Sequence, residues 1–310
     1  MKRNYLVALL IAPLALVPHA DAVPGKDDKK ELPNGPPSKA VTTDIVDAIA
    51  EEMNRSLTSL HIEKNPKPSV ISYKITEVDV NDVAASLGQT TSKRNRHFVN
   101  IEARVRVEYN GVDNSNFAVP NGEEIDGVAA LNLPLEATPR IARRAAWLVT
   151  DAAYKEALLQ LRVKVDARRA GGGRSGDVPG WTAAKAVVSE DPVLVPELEK
   201  LDELEARAKA LSANFRDLGH IRDSRVAVTS YLERRWYLTT EGTSVTDTRR
   251  ASGVVIAATG QASDGAPLSQ YFLRYGRTVR DLPTDKELTD ETKKIAETID
   301  ALGKAPVMER

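Results

Sequence analysis

Between Val99 and Tyr109 the chain alternates without a break. Val99, Ile101, Ala103, Val105, Val107 and Tyr109 fall on one side, and Asn100, Glu102, Arg104, Arg106 and Glu108 on the other. A period of two sends successive side chains to opposite faces of an extended chain, so this segment is a strand with one face on a core and one in water. Strands of that kind belong to antiparallel sheets, whereas parallel strands are covered on both faces and read as continuous apolar runs. Upstream, Ile71, Tyr73 and Ile75 alternate, as do Val83, Ala85 and Leu87, with the polar run Ser92-Lys93-Arg94-Asn95-Arg96 expected at a hairpin end. Further strands are expected at 224–232, 235–241, 250–259 and 268–277.

Between these strands the period changes to that of helices. Ile45, Ile49, Met53, Leu57 and Leu60 form an apolar stripe behind the cap pair Thr43-Asp44. Pro66 and Pro68 close that helix. Thr138 followed by Pro139 opens a second one, predicted to reach about Arg168 with Ile141, Ala145, Leu148, Ala152, Leu159 and Val163 on its buried side. From Pro196, Leu201, Ala208 and Phe215 interleave with Leu204, Leu211 and Leu218. The repeat is too short for a coiled coil, and a helix on its own sheet is the expectation. Thr284 and Glu287 make a capping box for a last helix that buries Leu288, Ile295, Ile299 and Leu302. The predicted fold class is α+β: long helices packed on antiparallel sheets, in two lobes (41–168 and 196–305) joined by a Gly-rich linker (169–195).

The N-terminus carries a separate message. Lys2 and Arg3 precede the apolar run Tyr5–Val17, and Ala20-Asp21-Ala22 closes it with small residues at the cleavage positions Ala20 and Ala22. Those are the parts of a secretory signal peptide, and the run is shorter than the ~20 residues that span a bilayer. Residues 1–22 are therefore expected to be removed, with export to the periplasm or the exterior and no transmembrane anchor afterwards. Residues 23–40, rich in Lys, Asp and Pro, read as a disordered lead-in. There is no cysteine, which excludes disulfides, thiolate metal sites and a cysteine nucleophile. A formal net charge of −1 with interspersed signs speaks against a nucleic-acid surface.

No catalytic motif is present. Gly171-x-Gly173-x-x-Gly176 matches the dinucleotide glycine spacing, but a long charged helix precedes it where a strand is required. Past the leader only His61, His97 and His220 remain, none paired at the spacing that aims two imidazoles at one zinc, so structural or surface roles are expected for all three. Neither a Gly-x-Ser-x-Gly elbow nor a Ser-x-x-Lys pair occurs. Arg234-Arg235-Trp236-Tyr237 places bases beside aromatics, which a mixed-face strand explains. On these grounds no catalytic residue, metal or cofactor is assigned.

Six segments, taken in order, resemble a known family: ISYKITEV (71–78), AASLG (84–88), VDNSNF (112–117), AWLVTDAAYKEA (146–157), YLTTEGT (237–243) and YGRTVRDLP (275–283). They are similar to the front half of secreted or envelope-associated TldD/PmbA metallopeptidase-related proteins, over roughly residues 45 to 305. The resemblance implies an α+β module forming one wall of a peptide-binding cleft. The family's metal motif, His-Glu-x-x-x-His, belongs to its other half, and no His-Glu dipeptide occurs in this sequence. A secreted, non-catalytic module that binds extended peptides or a metal-bearing TldD/PmbA-type chain is the leading expectation. Half of a split peptidase and a structural envelope protein without ligand are the alternatives. Peptide binding is expected by strand addition along Trp236, Leu238, Thr239, Thr240, Glu241 and Gly242.

Overall fold

The computed structural model describes residues 41–117, 127–170, 182–183, 185–190 and 198–305. The segments expected to be a signal peptide (1–22) and a disordered lead-in (23–40), and the glycine run of the expected linker, lie outside the described residues. The described residues fall within one compact unit, Pro36–Arg310.

The chain is α+β. Its elements run α1 (Thr43–Ser59), β1 (Pro68–Ser86), β2 (Gln89–Tyr109), β3 (Val112–Asp113), β4 (Val128–Leu133), α2 (Pro139–Ala170), β5 (Val188–Glu190), α3 (Leu201–Ala213), β6 (Ile221–Thr239), β7 (Ser244–Gln261), β8 (Pro267–Gly276) and α4 (Asp285–Lys304). Among the described residues all the strands share one eight-stranded sheet ordered β3-β2-β1-β6-β7-β5, with β4 on β2 and β8 on β7. Every pairing is antiparallel except the short β5–β7 contact.

The strands are longer than their apolar patterns announce. The two alternating runs before residue 88 are one strand, β1, and the two expected at 224–232 and 235–241 fuse into β6. Ser92–Arg96 is not a hairpin end but lies inside β2. The turn is Leu87-Gly88, with positive φ of 47° and 80°, as a tight two-residue hairpin requires. The polar run stays in the strand because it has partners there: Lys93 reaches Glu205 at 2.6 Å and Arg96 reaches Asp82 at 3.2 Å.

β1 and β6 pair from Ser72↔Thr239 to Ala85↔Val226, so the two halves of the chain share one sheet. What distinguishes the halves is their cores. At one end α1 and α2 cover Ile71, Tyr73, Ile75, Ile101 and Leu238. At the other, α3 and α4 cover Val83, Ala85, Val226, Val228 and Ile256. By strand alternation both cores lie on the same face of the sheet, at opposite ends of the strands.

The helices follow their sequence signals except in three places: α1 is capped at Thr42 and not by Thr43-Asp44, Leu302 of α4 is exposed where the last turn reaches solvent, and α2 turns a different face inward. Thr284 and Glu287 cap α4 reciprocally, at 2.8 and 3.3 Å. α3 buries Leu204, Ala208 and Leu211 against the sheet rather than forming a coiled coil. In α2 the buried face is Ala142, Ala145, Ala146, Val149, Ala153 and Ala157, whereas Ile141, Leu148 and Leu159 are exposed. Alanine lets the helix approach the strands closely, so the small residues and not the large ones mark its inner side.

Candidate functional site

Between the two cores the helix-bearing face of the sheet turns polar. Along β1 the inward positions read Ile71, Tyr73, Ile75, then Glu77, Asp79, Asn81, then Val83 and Ala85. Cross-strand register extends those three positions into rows: Glu77 beside Arg234 and, beyond it, Thr248; His97 beside Asp79, with Arg250 two strands further on; and Asn95, Asn81, Ser230 and Ser252. A mostly polar belt, interrupted by Leu232 and reaching solvent at Asn95, therefore separates two apolar layers.

Its centre is a cluster of four ionisable groups. Glu77, Asp79 and Arg234 are buried, and His97 is largely so. The Arg234 guanidinium donates from Nε to Glu77 Oε2 at 3.1 Å and from Nη2 to Asp79 Oδ2 at 3.0 Å. His97 Nε2 lies 2.9 Å from Glu77 Oε1 and 3.7 Å from Asp79 Oδ1. Burial pushes the Asp79 carboxyl above the usual carboxylate range, against the pull of His97 and Arg234. The hydrogen bond to Glu77 raises His97, outweighing the desolvation that lowers it. Charges taken out of water persist only when paired and hydrogen-bonded, which Arg234 accomplishes for both carboxylates.

Glu199 lies over the far side of the belt. Its carboxylate accepts from Ser230 Oγ, from Arg250 Nη2 at 2.7 Å and from the Val279 N–H at 3.2 Å, while its carbonyl accepts from Asn81 Nδ2 at 2.9 Å. Burial alone would raise this carboxyl, but the Ser230 and Arg250 hydrogen bonds bring it below its ordinary value. A carboxyl depressed on folding stabilises the native state at pH above its unfolded value, about 4.3, and that contribution disappears as pH falls through the folded value. Urea unfolding compared at pH 7 and pH 3.5 is expected to show a smaller acid loss of stability in Glu199→Gln than in the wild type. Equal losses would remove Glu199 from the acid response.

The opposite face of the sheet has a cavity of about 430 Å³, bordered by Ser72, Arg104, Arg106, Tyr237, Thr239 and Glu241. Arginines and a glutamate across its rim give it mixed charge.

The residues expected to form a peptide-binding edge are dispersed by this architecture. Trp236 pairs with Ile75 on one side and Thr246 on the other, and Leu238 with Tyr73 and Ser244, so this strand is interior and offers no open backbone there. Both side chains pack on the first core. The Thr240 N–H donates to the Ile71 carbonyl at 2.9 Å, and Gly242, at φ 93°, closes the β6–β7 turn. Only Thr239 and Glu241 face the cavity. Isolated strand patterns do not show which strands are neighbours, and here a strand about a hundred and sixty residues upstream in sequence fills the expected edge.

A two-layer α+β protein, with helices on a single face of a long antiparallel sheet, is the class that the fold defines. No protein-family model matches the sequence, and no curated protein matches it either. Solved structures do. A protein from Bacteroides thetaiotaomicron described as a candidate modulator of DNA gyrase aligns with TM-score 0.51 at 10% identity, over 82% of this chain and 50% of that one. TldE from Thermococcus kodakarensis aligns with TM-score 0.47 at 9% identity, over 83% and 47%. A candidate modulator of a DNA gyrase from Thermotoga maritima aligns with TM-score 0.46 at 14% identity, over 84% and 50%. The likeness is one of fold, to the Bacteroides protein, and the chain spans about half the length of these structures.

Proposed function

We propose that this chain is an exported, non-catalytic binding module that takes up an extended segment, from a peptide or a partner chain, by strand addition along β8. The observation that carries this reading is the position of β8. Among the described residues it pairs with β7 alone, and its Tyr271 and Tyr275 are 72% and 49% exposed. An unpaired strand edge presents a row of backbone donors and acceptors, and flanking aromatic rings add contact area without long flexible side chains. The lack of a His-Glu dipeptide supports the non-catalytic part. The leader pattern at residues 1–22 supports export.

Residues 23–310, tagged and expressed in the host envelope, are expected to co-purify one partner in stoichiometric amount. Alternate residues of an edge strand point their N–H to the open side, so one of Gln270→Pro and Tyr271→Pro removes an outward donor and the other an inward one. The outward variant is expected to keep the fold by circular dichroism and lose at least tenfold in capture. Capture undiminished in both variants would place the interface elsewhere, and recovery of this chain alone would end the binding-module reading.

A further inference from the structure

The geometry points to a binding site for one divalent transition-metal ion at Glu77, Asp79 and His97, in the belt between the two cores. This inference is independent of the β8 edge. One donor atom from each of Glu77, Asp79 and His97 lies within 4.8 Å of the other two. Donors bound at about 2.0–2.2 Å in a tetrahedron stand about 3.3–3.6 Å apart. The measured separations from Nε2, 2.9 Å to Glu77 and 3.7 Å to Asp79, straddle that spacing, so small side-chain rotations suffice.

A second observation comes from Asp79 itself. The residue is fully buried, and its Oδ1 has no hydrogen-bond partner, although it is the oxygen turned toward His97. A buried acceptor left unsatisfied is costly, and more so on a carboxylate. A cation placed between Oδ1 and Nε2 removes that cost. Arg234 does not occupy the position, because it holds the other oxygens, Glu77 Oε2 and Asp79 Oδ2. It acts as a positioning residue, fixing both carboxylates so that Oε1 and Oδ1 face the imidazole, as hydrogen bonds behind metal ligands do elsewhere.

The donor set selects the ion. One imidazole with two carboxylates, and no thiolate, suits zinc or cobalt(II) better than magnesium or calcium, which favour oxygen alone. A fourth position is left for water. His97 is partly exposed and Asn95, in the next row, is exposed, which opens a path for the ion from the β2 side.

Untagged protein comprising residues 23–310, stripped with chelator, would be titrated with CoCl2 at pH 7.5. Expected are visible d–d absorption bands saturating at one equivalent, their loss on adding ZnCl2, and a higher Tm with zinc than without. His97→Gln and Asp79→Asn should abolish the bands, and His61→Ala should keep them. Asp79→Asn retains an oxygen for Arg234 and guards against a result that merely reports unfolding, which circular dichroism checks for each variant. Absence of both the cobalt bands and the zinc shift in the wild type, or bands that persist in folded His97→Gln and Asp79→Asn, would overturn the site.

Discussion

Replacing Arg234 with alanine is expected to destabilise the fold by about 3–5 kcal/mol, the usual cost of stranding a buried charge without its partner. Arg234 is 2% exposed and satisfies one oxygen of Glu77 and one of Asp79. Without it two buried carboxylates face each other with His97 as the remaining cation. The same reasoning predicts a rescue. Replacing the group together (Glu77→Leu, Asp79→Leu, Arg234→Met) removes the desolvation cost along with the pairing, and stability should return to near the wild-type value or exceed it. The single variant should also recover part of its loss in acid, because Asp79 already lies above the usual carboxylate range and protonation neutralises it. Urea unfolding of the three proteins at pH 7 and pH 5 measures all of this. An Arg234→Ala cost below about 1 kcal/mol would mean that the carboxylates are solvated, since surface pairs contribute no more than that.

Phe215→Ala is expected to cost about 3–5 kcal/mol, the transfer term of a large side chain plus the cavity left behind. Phe215 is fully buried just beyond α3 and belongs to the core with Leu204, Leu211, Val228 and Ile256. Phe98→Ala is the control: at 41% exposure, on the other face, it should cost about 1 kcal/mol or less. Because the two cores are separated by the polar belt, the Phe215 cavity should loosen its own end first. Hydrogen exchange is expected to accelerate in α3 and α4 before α1 and α2. Uniform acceleration across all four helices would show that the belt couples the cores into one cooperative unit. Equal costs for the two phenylalanines would contradict the packing itself.

The polar belt had a signal in the sequence, though one that strand counting passes over. Glu77, Asp79 and Asn81 occur in phase with Ile71, Tyr73 and Ile75 before them and Val83 and Ala85 after them. Polar residues on the apolar beat of a long strand mark a place where the core is interrupted. A gap between two strand patterns covers that stretch in the sequence, and it conceals the partners of His97, for which the pattern predicts no more than a structural or surface role. On α2 the large apolar residues drew attention to the wrong face, because the alanines that touch the sheet carry little hydrophobic weight individually.

Local chemistry alone determined a good deal of this protein. Alternation at Val99–Tyr109 specified an antiparallel strand, Thr284 and Glu287 specified a helix start, and the spacing from Leu204 to Phe215 specified a helix laid on a sheet. Each signal works within a few residues, where backbone geometry and capping hydrogen bonds act. Neighbour order was decided only by the tertiary structure. Pairing β1 with β6 joins the halves in one sheet and closes the expected edge at Trp236 and Leu238, whereas among the described residues β8 is paired on one side alone. It also carries Arg234 to Glu77 and Asp79 across more than a hundred and fifty residues of sequence. The side-chain period says which face a residue takes and nothing about which strand lies beside it. That choice belongs to the register of the whole sheet, in which burying two cores on one face makes room for charges only where they can meet.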